Sequence, residues 1–196
     1  MATSLSEQRP AGRSLRLLAL SGSVRQLSTN TALLRRLAEL APEAVTVDVF
    51  EGIGALPIFS PDREGDLTPT SVLAFAALVE KADGLIFSSP EYAHGIPGGL
   101  KNALDWLVSR SEIPEKPGML LHASHRGDVA LAALREVLTT IKVALVDEAF
   151  ATVPLIGKTP DEVAALLHHP EIEGMLRDKL SVFVSALPGE QSACDE

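Results

Sequence analysis

Between Ser21 and Asn30 the chain reads Ser-Gly-Ser-Val-Arg-Gln-Leu-Ser-Thr-Asn, with hydroxyls at 21, 23, 28 and 29, the Asn30 amide, the Arg25 guanidinium and no carboxylate. These groups donate hydrogen bonds and carry positive charge, which is the chemistry that holds a phosphate dianion. If a helix starts at the end of the stretch, its free N–H groups and positive dipole end add to the grip. A helix cap alone would account for Ser28 to Asn30 but leaves Ser21, Ser23 and Arg25 unexplained. The loop has a single glycine, so it is not the G-x-G-x-x-G turn that brings a pyrophosphate against the backbone. A monophosphate fits better than a dinucleotide.

A second stretch runs Pro90-Glu91-Tyr92-Ala93-His94-Gly95-Ile96-Pro97-Gly98-Gly99 and continues Leu100-Lys101-Asn102-Ala103-Leu104-Asp105-Trp106. Its prolines and glycines fix a backbone that can lie along the edge of a flat ligand and offer N–H groups to it. Tyr92 and Trp106 are the only Tyr and the only Trp of the chain. Trp106, in mid-helix, reads as core, and a loop aromatic such as Tyr92 packs on its own protein more often than on a ligand.

Other signals are weaker. Gly157-Lys158-Thr159 imitates the end of a P-loop, but the first glycine would fall at Thr152. His122 with His125, and His168 with His169, lack a companion carboxylate or thiolate at ligand spacing, so they read as packed or exposed histidines rather than a metal site. Ser88 and Ser89 end a strand but lack the G-x-S-x-G elbow of a hydrolase. Asp83 and Asp105 form no carboxylate pair.

The elements that position these loops follow from periodicity. Short apolar runs predict strands from Leu15 to Leu20, Val45 to Phe50, Gly84 to Ser89 and Gly118 to Ala123, with a fifth from about Lys142 to Val146. Between them, apolar residues at helical spacing predict helices carrying Leu33, Leu34 and Leu37; Val72, Phe75 and Val79; Leu100, Ala103, Leu104 and Leu107; and Leu131, Leu134 and Leu138. A last helix carries Ile172 to Leu187, and the segment from Gly52 to Asp66 reads as a long loop. Strands joined by helical crossovers form an open parallel sheet with helices on both faces. Five strands suggest an α/β fold with the flavodoxin-like order 2-1-3-4-5, which places ligands at the carboxyl ends of strands 1, 3 and 4. The loops after Leu20, Ser89 and Ala123 meet there.

The chain has 196 residues, 46% hydrophobic and 22% charged, enough for one domain with a full core. Residues 15 to 187 are expected to form it, with mobile tails at 1 to 14 and 188 to 196. A net charge of -9 argues against nucleic acid and anionic membrane surfaces as partners. The apolar stretch Leu17 to Leu20 is too short for a signal-peptide core or a membrane span. One cysteine, Cys194, allows no internal disulfide, and a cytoplasmic location is expected.

The pattern Ser-Gly-Ser-x-Arg-x-x-Ser-x-Asn, followed by Pro-Glu-Tyr and Pro-Gly-x-Leu-Lys-Asn-Ala-Leu-Asp-Trp, resembles the NADPH-dependent FMN reductase family, which includes quinone, chromate and azo-dye reductases. The resemblance spans roughly Leu15 to Val153. It implies that Ser21, Ser23, Arg25, Ser28 and Asn30 hold the FMN phosphate, that Pro90, Glu91, Tyr92, Ala93 and His94 border the isoalloxazine, and that Ser124 to Gly127 meet its pyrimidine edge. Two departures stand out: Ala93 where many members carry Asn, and Ser124-His125-Arg126-Gly127 where small residues are usual. His125 and Arg126 could narrow the site, or Arg126 could set positive charge beside the reduced flavin.

The resemblance implies that hydride passes from NADPH or NADH to bound FMN and then, by a ping-pong sequence, to a quinone, azo compound, flavin or metal oxyanion. The flavin carries that chemistry, so no side chain is nominated as catalytic. The alternative is an FMN-binding electron carrier or redox sensor that oxidises no nicotinamide; carriers of that kind usually surround the flavin with carboxylates, and these loops hold only Glu91 and Asp128. Leu56, Pro57, Ile58 and Phe59 form an apolar run that suggests a homodimer or homotetramer.

Overall fold

The computed structural model describes residues 14–188. In β1 (Leu15–Ser21) every residue but Arg16 is buried, as a central parallel strand requires. Its side chains alternate: Leu15, Leu17 and Ala19 enter one core, Leu18 and Leu20 the other. β1 pairs in parallel with β2 (Val45–Phe50) on one side and β3 (Gly84–Ser88) on the other, and β3 pairs with β4 (Pro117–His122).

The fifth position of the sheet is divided. β5 (Ala144–Leu145) pairs with Pro117 and Gly118, and β6 (Ala151–Thr152) pairs with Leu121 and His122, both parallel. The order is β2-β1-β3-β4-β5, as the sequence predicts, but one strand from Lys142 is replaced by two short ones. Lys142 has φ +63°, a left-handed turn that follows the preceding helix and delays the strand. A 3₁₀ turn at Asp147–Ala149 then interrupts it and buries Ala149 completely.

One face of the sheet is covered by α1 (Thr29–Glu39), the other by α2 (Thr70–Lys81), α3 (Gly98–Asp105) and α4 (Asp128–Thr140). α5 (Pro160–Leu167) and α6 (Pro170–Ser185) join α1. The pattern at 159–162 is a capping box: the Glu162 N–H donates to Thr159 Oγ1 at 3.3 Å, and the Thr159 N–H donates to Glu162 Oε2 at 2.7 Å. The Thr159 N–H and hydroxyl, which both donate to Glu162 Oε2, hold that carboxyl below its ordinary range. The Thr of the false P-loop is thus the N-cap of α5.

The segment expected as a long loop from Gly52 carries 3₁₀ turns at Gly52–Ala55, Pro61–Arg63 and Gly65–Leu67 and is fastened to α3. Trp106 Nε1 donates to Pro57 O (2.7 Å), Asn102 Nδ2 donates to the same carbonyl (3.0 Å), and Asn102 Oδ1 accepts the Phe59 N–H (2.8 Å). Phe59 meets Trp106 edge-on, with centroids 5.0 Å apart. Leu56 is buried, so of the apolar run only Ile58, at 79% exposure, stands out. Trp106 is core, as expected, although it falls just beyond the end of α3. Among the described residues no helix is long and apolar enough to cross a membrane. The expected tails lie outside the described residues, apart from Ser14 and Pro188.

Candidate functional site

Three loops meet over the carboxyl ends of β1, β3 and β4. The first follows β1, where the Gly22 N–H donates to Ser88 O at 2.8 Å and a Cβ on Gly22 would lie 2.4 Å from Ser89 Oγ. Glycine is therefore required for the close approach of the two loops. Ser28 caps α1: its Oγ accepts the Thr31 N–H (3.2 Å) and its carbonyl accepts the Ala32 N–H (2.9 Å). The N–H groups of Thr29 and Asn30 stay available to a ligand. Asn30 Oδ1 accepts the Ser88 hydroxyl at 2.9 Å, which commits its acceptor and leaves the Nδ2 amide as a donor. Arg25 is exposed and pairs with no carboxylate among the described residues.

The second loop follows β3 and contains a tight hairpin. Tyr92 and Gly95 exchange both backbone hydrogen bonds, at 3.1 and 3.0 Å, around Ala93 (φ +50°) and His94 (φ +56°). A two-residue hairpin with both central residues at positive φ is the turn that favours Asn and Gly, so Asn would suit position 93 better than Ala does. Glu91, just before the hairpin, reaches the third loop: its Oε2 accepts the Ala130 N–H of α4 at 2.9 Å, and its Oε1 lies 3.2 Å from His94 Nδ1. The N-cap of α4 is Gly127, which has no side chain, so the carboxylate of a neighbouring loop caps that helix instead.

The third loop follows β4. Ser124 Oγ accepts the Arg126 N–H at 2.9 Å, and His122 Nε2 lies 2.8 Å from Arg126 O. Gly127 has φ +97°, and a Cβ there would come within 3.3 Å of Glu91 Cβ and 3.5 Å of His122 Cε1. Any other residue would be strained at that angle and would push at the Glu91 wall.

Together these loops enclose a cleft of about 350 Å³. Of the residues nominated from the sequence, Ser23, Arg25, Ser28, Asn30, Pro90, Glu91, Tyr92, Ser124 and Gly127 line it. Ser21, Ala93 and His94 do not: the Ser21 hydroxyl accepts from Thr31 Oγ1 at 2.8 Å beneath the loop, and the other two form the tip of the hairpin. The cleft also takes in Thr29, Ser89, His122, Ala123, Arg126 and Ile156. Arg126 is a candidate from the sequence; His122, which reads from the sequence as a packed or exposed histidine, is 94% buried in the wall, while Ile156 comes from the turn after β6 and carries no sequence signal. His125 is exposed and outside the lining.

Residues 15–155 match the family described as NADPH-dependent FMN reductase. The chain belongs to that family. Its relatives include a quinone reductase of Escherichia coli (strain K12), 36% identical over 104 residues, which are 53% of this chain and 54% of the relative. The chain therefore spans about half the length of the curated relatives it matches. Among solved structures it is similar to a flavoenzyme NAD(P)H:(acceptor) oxidoreductase of Paracoccus denitrificans, with TM-score 0.66 and 24% identity over 87% of this chain and 98% of that one. An oxidised flavodoxin of Bacillus cereus superposes with TM-score 0.58 and 19% identity over 88% and 99% of the two chains, which makes the fold flavodoxin-like.

The donor set of this NADPH-dependent FMN reductase family member suits FMN. The β1–α1 loop offers hydroxyls, two helix N–H groups, an amide and an uncompensated guanidinium to a phosphate. Pro90 and Tyr92 supply a wall for a ring system, and Arg126 of the β4–α4 loop adds positive charge to the lining.

Proposed function

We propose that this chain, through residues 15 to 187, binds FMN, reduces it with NADPH or NADH, and passes the electrons to a small-molecule acceptor of the quinone, azo, flavin or metal-oxyanion class by a ping-pong sequence. The observation that carries the reading is the union, in a single cleft, of a phosphate-type donor set with no carboxylate and a wall led by Tyr92. The name of the quinone reductase relative supports a quinone as acceptor.

FMN, when bound, supplies the position that accepts hydride and later releases it. Ser23, Arg25, Ser28, Thr29 and Asn30 hold the phosphate; the acceptor oxygens of Ser28 and Asn30 are already engaged, so each turns a donor outward. The Glu91 carboxylate spans the second and third loops and keeps the width of the cleft constant. The guanidinium of Arg126 and the N-terminal end of α4 stabilise negative charge at that wall. One open face serves nicotinamide and acceptor in turn.

Association into a homodimer or homotetramer belongs to the same proposal. Its support is Ile58 together with exposed Val24, which lies against Gly54 and Gly99. A reducing, cytoplasmic setting suits the single cysteine. Anaerobic mixing of the FMN-loaded protein with NADPH is the test: rapid bleaching of the flavin is expected, and a flavin that stays oxidised with both NADPH and NADH would refute the reductase.

A further inference from the structure

His122 is the last residue of β4, is 94% buried, and lines the cleft. Its Nε2 sits 2.8 Å from the Arg126 carbonyl, and a carbonyl only accepts, so the proton of the neutral ring is on Nε2. Nδ1 accepts from no group among the described residues. No buried side-chain nitrogen or oxygen among them lacks a partner, so Nδ1 is reached by solvent, and the space this ring borders is the cleft. The fold thus fixes both the tautomer and the direction of one titratable nitrogen, which is the arrangement a proton donor to a bound ligand needs.

We propose that His122 is the general acid of the acceptor half-reaction, an inference that rests on the reductase reading above. Reducing a quinone to a hydroquinone takes two electrons and two protons. Bound FMN, once reduced, would supply a hydride, that is both electrons and one proton, to one carbonyl oxygen, so the other oxygen would be left needing a proton. The His122 imidazolium donates its Nδ1 proton to that second oxygen, directly or through one water, and so becomes the neutral ring with its proton on Nε2. Nδ1 is then reloaded from water. The hydrogen bond to Arg126 O is kept throughout, so the ring holds its orientation while its charge changes. The charged groups on the elements around it are Glu91 and His94 on the β3–α3 loop, His125, Arg126 and Asp128 at the start of α4, and Arg25 across the cleft. Glu91 and the His122 ring both flank Gly127.

His122→Gln keeps a side-chain N–H for the Arg126 carbonyl and removes the titratable nitrogen. Turnover with NADPH should be compared for 1,4-benzoquinone, which must gain protons, and for ferricyanide, which accepts electrons alone. The variant should lose about a hundredfold more quinone turnover than ferricyanide turnover, the size of effect a positioned acid provides. Equal losses with the two acceptors would overturn the role of His122 and leave the reductase intact. Failure of both NADPH and NADH to bleach the wild-type flavin would overturn the reductase reading and this inference with it. A second measurement needs no variant to fold: ¹⁵N spectra of histidine-labelled wild-type protein should show a ring protonated on Nε2 and titrating at Nδ1. Added FMN should move the Nδ1 signal of His122 far more than those of His168 and His169. A ring protonated on Nδ1, or one indifferent to FMN, would overturn the assignment.

Discussion

Arg25→Ala should weaken FMN binding while leaving riboflavin binding nearly untouched. The guanidinium lines the cleft beside the start of α1 and pairs with no carboxylate among the described residues, so it gives up no internal partner when it turns to a phosphate. A hydrogen bond to a charged group contributes about 1.5–3 kcal/mol. Arg25 is exposed and solvent screens its charge, so the lower part of that range applies, a rise in Kd of roughly ten- to thirtyfold. Titration of the flavin-free protein with FMN and with riboflavin, followed by flavin fluorescence, separates phosphate from ring, because riboflavin has the same ring and no phosphate. Arg126→Ala is the internal control, since that guanidinium comes from the β4–α4 loop rather than the β1–α1 loop and should affect both flavins by a similar factor. The reasoning is refuted if Arg25→Ala costs riboflavin as much as FMN, or if Arg126→Ala discriminates between them as strongly as Arg25→Ala does.

Three further outcomes are expected. Ala93→Asn should raise stability by about 1 kcal/mol, because Ala bears the cost of φ +50° that Asn tolerates; for a chain of this size that is about 2–4 °C in Tm by calorimetry, and a fall in Tm would count against the strained hairpin. Glu91→Ala should cost about 1.5 kcal/mol, since it strips the cap from the Ala130 N–H and the brace from the hairpin, with Glu91→Gln restoring part; equal denaturation midpoints for the Ala and Gln variants would show that the cap does not matter. Glu162, held below its ordinary range by its bonds to Thr159, stabilises α5 above about pH 4.3 and loses that effect as pH falls through its lowered folded value. The stability gap between wild type and Glu162→Ala should accordingly narrow on acidification below that pH, and a gap that widens would contradict the linkage.

Much of the architecture is local information. Continuous apolar runs such as Leu17 to Leu20 and Leu85 to Phe87 are what doubly covered parallel strands need, and the helices between them show a clear apolar stripe, so the strand order followed from connection rules. The missed features have weak or overlooked local signals. β5 and β6 are two residues each and partly exposed, so period says little about them. α5 carries a capping-box signal, but its threonine also completes the false P-loop pattern, which masks that signal.

By itself the sequence determined that a carboxylate-free set of phosphate donors follows the first strand and that a rigid Pro/Gly loop follows the third, because both are properties of adjacent residues. Only the tertiary structure decided which of those groups line the cleft. Ser21 belongs to the same motif as Ser23, yet Thr31 draws its hydroxyl beneath the loop. Glu91, read as a border of the ring, serves as the cap of a helix whose N–H lies 39 residues further along the chain. His122 reads from the sequence as a packed or exposed histidine, and it is packed, with Nε2 beside a carbonyl four residues on and the ring in the lining of the cleft. A hydrogen bond between distant groups is set by the three-dimensional path of the chain, and no pattern of neighbouring residues encodes which partner each polar group will find.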